Sequence, residues 1–400
     1  MRAVVMGRNY TSLLSMIRAA GRVGCDIIAV RTVHGLSQAQ KNGKLKDAAL
    51  IEKASKYVRQ HYLVEEDQQE LLRLLMEKCG IKGEKTILLP TDDFVASTID
   101  LNQEALKDLF VFPHVQHRQG EVVRLMDKDV QKAMARKAGL EVVEGWVVQI
   151  KNGAYQIPEG IRYPVFTKPE ISFLGNKRCM KKCSDEAELK AVIDMVMKER
   201  ECPLLVEQYV EIEKEYGILG YSDEGETVIP GIVEKIAVGH GRHNGVTLIG
   251  EYSSLKKYGE LKTGLKRFMM DVGFTGLFDI DLYASKGKIY FNELNLRLGA
   301  FGYAAVRAGY NMPGMLIESL TARRCVQDTD FTGDIRCISE KVNLDDFAEG
   351  YISWEQYKAN RASVDYGFIE DEDDPKPFEL FNSGIGMIRL KRSIKNLLGR

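Results

Sequence analysis

The stretch IYFNELNLRLGA, residues 289–300, sets an acid, an amide and a guanidinium at a two-residue spacing. Glu293, Asn295 and Arg297 alternate with Leu294, Leu296 and Leu298. On a strand, successive side chains point to opposite faces, so the three polar groups share one face and the leucines the other. Just upstream, GLFDIDLYASKGK supplies a second strand and a turn. A three-residue loop at 285–287 predicts Tyr283 opposite Ile289, Asp281 opposite Phe291 and Asp279 opposite Glu293. Asp279, Asp281, Glu293 and Asn295 then share a face, with carboxylates roughly 5 to 8 Å apart. Like charges so placed repel, and a cation between them removes the objection. The donors are oxygens, with no His or Cys, which suits Mg²⁺ or Mn²⁺ rather than zinc. A solvated acidic face is the competing reading. A one-residue slip in register would send the acids to opposite faces.

The elements that must position this hairpin follow from the rest of the chain. AVVMG (3–7), CDIIAVRT (25–32) and KTILLPTDD (85–93) read as strands. TSLLSMIRAAGRVG (11–24) and DQQELLRLLMEKCG (67–80) between them read as amphipathic helices stopped by glycine. This βαβ rhythm predicts a parallel sheet covered by helices over residues 1–125. From residue 126 the pattern changes to a helix (126–140) and then strands and hairpins mixed with helices. The expectation is an α/β and α+β chain: an N-terminal parallel-sheet domain (1–125), a second domain (126–330) with a subdomain at about 141–205, and a C-terminal extension (331–400). Four hundred residues and 44% hydrophobic content fit several ordinary cores. A formal net charge of −1 argues against a nucleic-acid binder working through bulk charge. Seven cysteines without paired metal spacing read as reduced thiols. No run approaches the ~18 apolar residues of a membrane span, and MRAVVMG lacks the apolar region of a signal peptide. A cytoplasmic protein is expected.

Mg²⁺ held by few carboxylates usually completes its shell with substrate phosphates. The chain has no GxxxxGK[ST] loop, so a nucleotide would be held differently. Lys168, on the apolar strand YPVFTKP, needs an anionic partner if buried. Lys128 opens a helix, where a solvated lysine is the ordinary alternative. Glu207 ends the apolar strand PLLVEQYV, and Glu215 follows eight residues on. Backbone at such a strand end suits adenine, and a carboxylate beyond it suits ribose hydroxyls.

Taken in order, these features resemble the ATP-grasp superfamily: a lysine opening a helix, a strand lysine in VFTKP, VEQYV followed by EY, then DID and FNELNLR. More narrowly the chain resembles the carboxylate–amine ligases grouped with D-aspartate ligase, through AVVMGRNYTSLLSMIRAAGRVG, SKYVRQHYLV, LLPTDDFVA and DDPKPF. The resemblance implies an N-terminal pre-ATP-grasp domain followed by a two-subdomain ATP-grasp fold. It implies that Lys128 and Lys168 contact ATP phosphates, that Glu207 and the backbone near Val210 face adenine, and that Glu215 faces ribose. Asp281, Glu293 and Asn295 would ligate metal, with Asp279 as a helper, and Arg297 would face the phosphoryl group or acyl phosphate. Its cofactors are ATP and Mg²⁺ or Mn²⁺, two ions. The sequence departs from the family at Leu296, where proline is usual, and in a glycine-poor lid, KPEISFLGNKRCMKK, with Gly175 alone. Lys177 or Arg178 would compensate there.

The implied activity joins a small-molecule carboxylate to an amine, with no nucleic-acid partner and no membrane span; a homo-oligomer is compatible with the sequence. His240, Arg242 and His243, in EKIAVGHGRHNGVTLIGEY, are candidates for a substrate carboxylate. GRNY (7–10) and PTDD (90–93) follow strands, where open α/β sheets place ligands. A dehydrogenase is disfavoured, because VVMGRNYTS has no GxGxxG. A non-catalytic or regulatory MgATP-binding protein is the alternative.

Overall fold

In the computed structural model, residues 1–42, 50–170, 177–199, 202–223, 226–299, 301–322, 328–386, 388 and 392 are described. The N-terminal βαβ pattern forms a five-stranded parallel sheet. Its spatial order is Val58–Glu65, Asp26–Val33, Arg2–Gly7, Thr86–Pro90, Phe110–Val111. Strand Arg2–Gly7 is apolar throughout because both faces are covered. Ala3 and Val5 enter one core with helix Tyr10–Arg22, and Val4 and Met6 enter another with Leu71 and Leu75. The first core is shared with Leu219, Tyr252 and Leu277 of the second sheet, so the two sheets are packed together.

That second sheet holds the acidic hairpin. Its main path runs Tyr366–Gly367, Asp334–Ile338, Thr247–Ser254, Gly231–Val238, Lys214–Asp223, Phe274–Ser285, Lys288–Asn295, Glu141–Val142. A separate four-stranded antiparallel sheet is made by Lys181–Cys183, Val165–Pro169, Leu204–Gln208 and Gly145–Val148, backed by helix Glu186–Glu199. The mixed α/β architecture expected from the sequence is the one observed.

Helix Lys128–Lys137 starts where Asp127 accepts hydrogen bonds from the N–H groups of Asp129 (2.8 Å) and Val130 (3.1 Å). One turn in, buried Gln131 clamps the hairpin's outer strand. Its amide oxygen accepts from Leu294 N (2.8 Å), and its Nε2 donates to Leu294 O (2.8 Å) and Leu125 O (2.6 Å). The edge of Lys288–Asn295 is thereby sealed beside Glu293 and Asn295; Glu141–Val142 covers the other end through Tyr290 and Phe291.

The acidic segment near the C-terminus is tied to the first helix. Fully buried Arg18 donates to the Asp374 carboxylate (2.9 Å) and to the carbonyls of Phe368 (3.1 Å), Ile369 (2.9 Å) and Asp374 (2.8 Å). Among the described residues, no helix is long and apolar enough to cross a membrane.

Gln131→Leu is expected to cost about 3–5 kcal/mol, since it orphans three backbone groups at ~1–3 kcal/mol each. The readout is a lower urea midpoint at unchanged slope; an unmoved midpoint would contradict the clamp. Arg18→Met is expected to cost about 3–5 kcal/mol, the usual loss when half of a buried ion pair is removed. Thermal unfolding measures it, and a shift within error would show that Asp374 finds another partner.

Candidate active site

The hairpin reaches its acidic face by a different route from the one expected. The turn has two residues: Lys286 and Gly287 both take positive φ (50° and 76°), and Ser285 pairs with Lys288. Two such residues match the twist of antiparallel strands better than a longer loop. Leu282 therefore pairs with Phe291, one residue out of the expected register. Left uncorrected, that slip would turn Glu293 away from Asp281. A bulge at Asn292 cancels it. Beyond the bulge Asp281 lies opposite Glu293, Ile280 opposite Leu294 and Asp279 opposite Asn295. The four polar groups share one face, while Phe278, Ile280, Leu294 and Leu296 pack in the core behind.

Cations from four elements meet this face. Lys128 Nζ lies 3.3 Å from Glu293 Oε1. Lys235, on strand Gly231–Val238, reaches Glu215 Oε2 (2.9 Å) and Asp281 Oδ1 (3.4 Å). Lys168 Nζ, on Val165–Pro169, donates to Asn292 Oδ1 (3.0 Å) and pairs with Glu207 Oε2 (2.8 Å). Arg297 Nε donates to Asp93 Oδ1 (3.0 Å) and its Nη2 to Asn295 Oδ1 (3.3 Å). The bulge residue thus links the hairpin to the four-stranded sheet, as bulges beside functional sites often re-aim a side chain.

Glu207 is placed differently from the adenine-facing role implied by the resemblance. It is buried between Lys168 and Lys132, whose ammonium also pairs with it. Burial, followed by the charge of Lys128, pushes Lys168 down to about 7. Burial, followed by Lys168, pushes Lys132 down to about 6. Two desolvated lysines sharing one carboxylate leave a surplus of positive potential. The opposite holds across the cleft. Burial raises the carboxyls of Asp279 and Asp281; Asp281 adds to the rise at Asp279 and Glu293 adds to it at both, with Lys235 and Arg297 opposing. One wall is short of negative charge and the other short of positive charge.

This donor set fits a hard divalent cation. Asp281 and Glu293 stand directly opposite, and Asn295 Nδ2 lies 3.5 Å from Asp281 Oδ2. Among the described residues no three His, Cys, Asp or Glu side chains form a ready ligand group. The protein therefore offers two carboxylates and an amide, the partial set Mg²⁺ takes when phosphates complete its shell.

The remaining candidates fall elsewhere. Val210 is half-buried, just past strand Leu204–Gln208. His240, Arg242 and His243 are held by helix Glu340–Glu349: His240 Nδ1 lies 2.8 Å from Asp346 and His243 Nε2 2.8 Å from Asp345, while Arg242 pairs with Asp345 (3.0 Å) and Glu349 (2.9 Å). Arg242 is thus already met by two carboxylates, which disfavours the expected capture of a substrate carboxylate. Gly175 lies outside the described residues, and Arg178 pairs with Glu199 (3.0 Å). Lys132, Lys235 and Asn292 joined the site without being singled out in the sequence. Lys132 carried a signal, four residues after Lys128 and so on the same helix face.

Residues 133–310 match the ATP-grasp domain model. The chain is 33% identical over 127 residues to the C-terminal section of the carbamoyl phosphate synthase large chain of Methanopyrus kandleri, covering 31% of this chain and 23% of that protein. It is 29% identical over 217 residues to the D-alanine–D-alanine ligase of Streptococcus gordonii, covering 49% and 60%. The chain thus spans less than two thirds of either relative. In fold it is similar to the biotin carboxylase domain of Hydrogenobacter thermophilus 2-oxoglutarate carboxylase, solved with MgADP, ADP and bicarbonate: TM-score 0.64, 19% identity, 84% of this chain and 73% of that one. The bulged acidic hairpin, Lys168 and Lys235 lie within the matched segment, Lys128 and Lys132 just before it, and the segment follows the N-terminal parallel sheet.

Proposed function

We propose that this protein is an ATP-dependent ligase that joins a carboxylate to an amine through an acyl phosphate, releasing ADP and phosphate. The observation that carries this reading is the meeting of two oppositely charged sets of side chains at one hairpin face. Lysine-rich helix and strand face an oxygen-only acidic face that ends in Arg297. Relatives that are ligases, and a fold relative solved with MgADP, support it. The sequence markers of the N-terminal sheet and the tail favour the group that includes D-aspartate ligase.

In the first step a carboxylate oxygen of the substrate attacks the γ-phosphorus, and ADP leaves. In the second, the amine attacks the acyl carbon, phosphate leaves, and the amine nitrogen gives up a proton. Carboxylates are poor electrophiles, so phosphorylation makes amide formation accessible. Lys128 and Lys168 neutralise the nucleotide phosphates, Glu215 takes the ribose and the backbone near Val210 the adenine. Glu207 aligns Lys168 and Lys132 before nucleotide arrives. Asp281, Glu293 and Asn295 would hold Mg²⁺ or Mn²⁺, which supplies charge neutralisation at the transferring phosphoryl. Arg297 donates to the phosphoryl or acyl-phosphate oxygens. Positioning and electrostatics account for most of the rate in such chemistry. The carboxylate substrate would sit at the ends of strands Arg2–Gly7 and Thr86–Pro90, a reading supported by their being neighbours where the strand order reverses.

An ADP-release screen with MgATP over arrays of carboxylates and amino acids, followed by product mass spectrometry, tests this reading. ADP formation that depends on an acid–amine pair is the expected result; MgATP binding without turnover favours a regulatory role. Glu293→Gln is expected to abolish metal-dependent ADP formation with folding intact, and wild-type turnover in that variant would sink the metal assignment. The depressed Lys168 adds a pH signature. Its ammonium is stabilised by bound phosphate, so its pKa rises from about 7 on binding. MgATP binding near pH 8.5 should then take up about one proton, and affinity should fall as pH rises from about 7 to 10. Calorimetry in buffers of different ionisation enthalpy measures the uptake; none would contradict phosphate contact at Lys168.

A further inference from the structure

Arg297 is held by groups from two different elements, the hairpin and the helix that follows strand Thr86–Pro90. Asn295, two residues back at the end of strand Lys288–Asn295, accepts from Nη2 at 3.3 Å. Asp93 accepts from Nε at 3.0 Å across a separation of 204 residues. Asp93 opens helix Asp93–Leu101 at the carboxyl end of strand Thr86–Pro90. The backbone there is fixed independently. Asp92 caps the helix through Val95 N (2.9 Å) and also accepts from Arg8 N (2.7 Å), and Thr91 Oγ1 donates to Met6 O (2.9 Å). Gly7 packs so closely on this loop that an added Cβ would come within 2.0 Å of Thr91 Oγ1. Asp93 therefore projects from a rigid corner at the point where the strand order reverses.

With Nε and Nη2 engaged by acceptors on separate elements, the guanidinium plane has one orientation. Nη1 makes no hydrogen bond among the described residues. It lies near Gly299, where an added Cβ would meet Asp279 Oδ2 at 2.7 Å and Nη1 at 3.8 Å. The free edge of Arg297 is thus turned towards the acidic face, and the absence of a side chain at Gly299 leaves that approach open. As a stability device the pair is minor. Both side chains are partly exposed, at 20% and 27%, and such pairs contribute about 0–1 kcal/mol.

We propose that Asp93 is a positioning residue for the ligase reaction: it aims Arg297 Nη1 at the transferring phosphoryl oxygen and so makes the end of the parallel sheet part of the active site. The inference rests on the ligase reading above and adds to it a residue outside the matched ATP-grasp segment. A guanidinium released from Asp93 keeps its charge and loses its direction. MgATP, held mainly by the lysines and the nucleotide pocket, still binds.

The test measures kcat, KM for MgATP and melting temperature for Asp93→Asn, Asp93→Glu, Arg297→Ala and the Asp93→Ala/Arg297→Ala double variant, in the acid–amine assay. Asp93→Asn should lower kcat ~10- to 100-fold, the scale of a displacement of about 1 Å in a catalytic group, with MgATP KM within about twofold. Asp93→Glu, which keeps the carboxylate, should recover part of the loss. In the Arg297→Ala background the second substitution should cost nothing more. A merely structural ion pair would lower the melting temperature and leave kcat of folded protein unchanged. Wild-type kcat in Asp93→Asn, or independent losses in the double variant, would overturn the inference. Glu293→Gln in the same assay separates the two readings. Loss of turnover there with wild-type kcat in Asp93→Asn removes the role of Asp93 and keeps the ligase. No ADP formation by the wild type with any pair overturns both.

Discussion

Asp279, Asp281 and Glu293 stand on adjacent strands of one sheet face, and that arrangement is stable only with positive charge close by. Everything around the hairpin answers this constraint. The bulge at Asn292 sets the acids on one face, and Gln131 fixes the strand that carries Glu293 and Asn295. Lys128 and Lys235 each reach one of the acids, and Arg297 adds its charge from the strand's end. Remove the bulge and Glu293 turns into the apolar core with Leu294 facing the cleft.

The compensation is incomplete on both sides. Asp279 and Asp281 remain raised despite Lys235 and Arg297, while Lys132 and Lys168 remain depressed beside Glu207. A cleft with surplus negative potential on one wall and surplus positive potential on the other suits a ligand that carries both signs. A metal–polyphosphate is such a ligand: the cation meets the acids and the phosphates meet the lysines. The ion pairs hold each side chain close to the acidic face where a metal–polyphosphate would bind. This is preorganisation of the kind that lowers the reorganisation needed during phosphoryl transfer.

The alternation of Glu293, Asn295 and Arg297 with leucines could be read directly, because side-chain period depends only on local backbone geometry. The parallel sheet was legible for the same reason. The turn was misread. Lys286 adopts a positive φ that lysine does not advertise, so a two-residue turn looked like three. The bulge had no local signal at all. It depends on pairing with Phe274–Ser285 and on Lys168 from another sheet. The predicted face nevertheless survived, because the shift from the short turn and the shift from the bulge add to an even number of residues. Glu207 was assigned by its place at a strand end, and nothing in the sequence signalled that two lysines from other elements pair with it. Arg242 looked free in a glycine-rich loop, and only the packing of Glu340–Glu349 shows that it is met by acids. Charge pairing between distant segments is what sequence pattern cannot supply.

The central claim is that the bulged hairpin face holds a divalent cation together with a nucleotide's phosphates. A crystal structure grown with Mn²⁺ and a non-hydrolysable ATP analogue tests it most directly, because Mn²⁺ can be located by anomalous scattering. The account predicts an anomalous peak bounded by Asp281, Glu293 and Asn295, with phosphate oxygens reaching Lys128 and Lys168. Nucleotide bound with Mn²⁺ away from that face, or with Lys128 still on Glu293 and Lys235 still on Asp281, would contradict it.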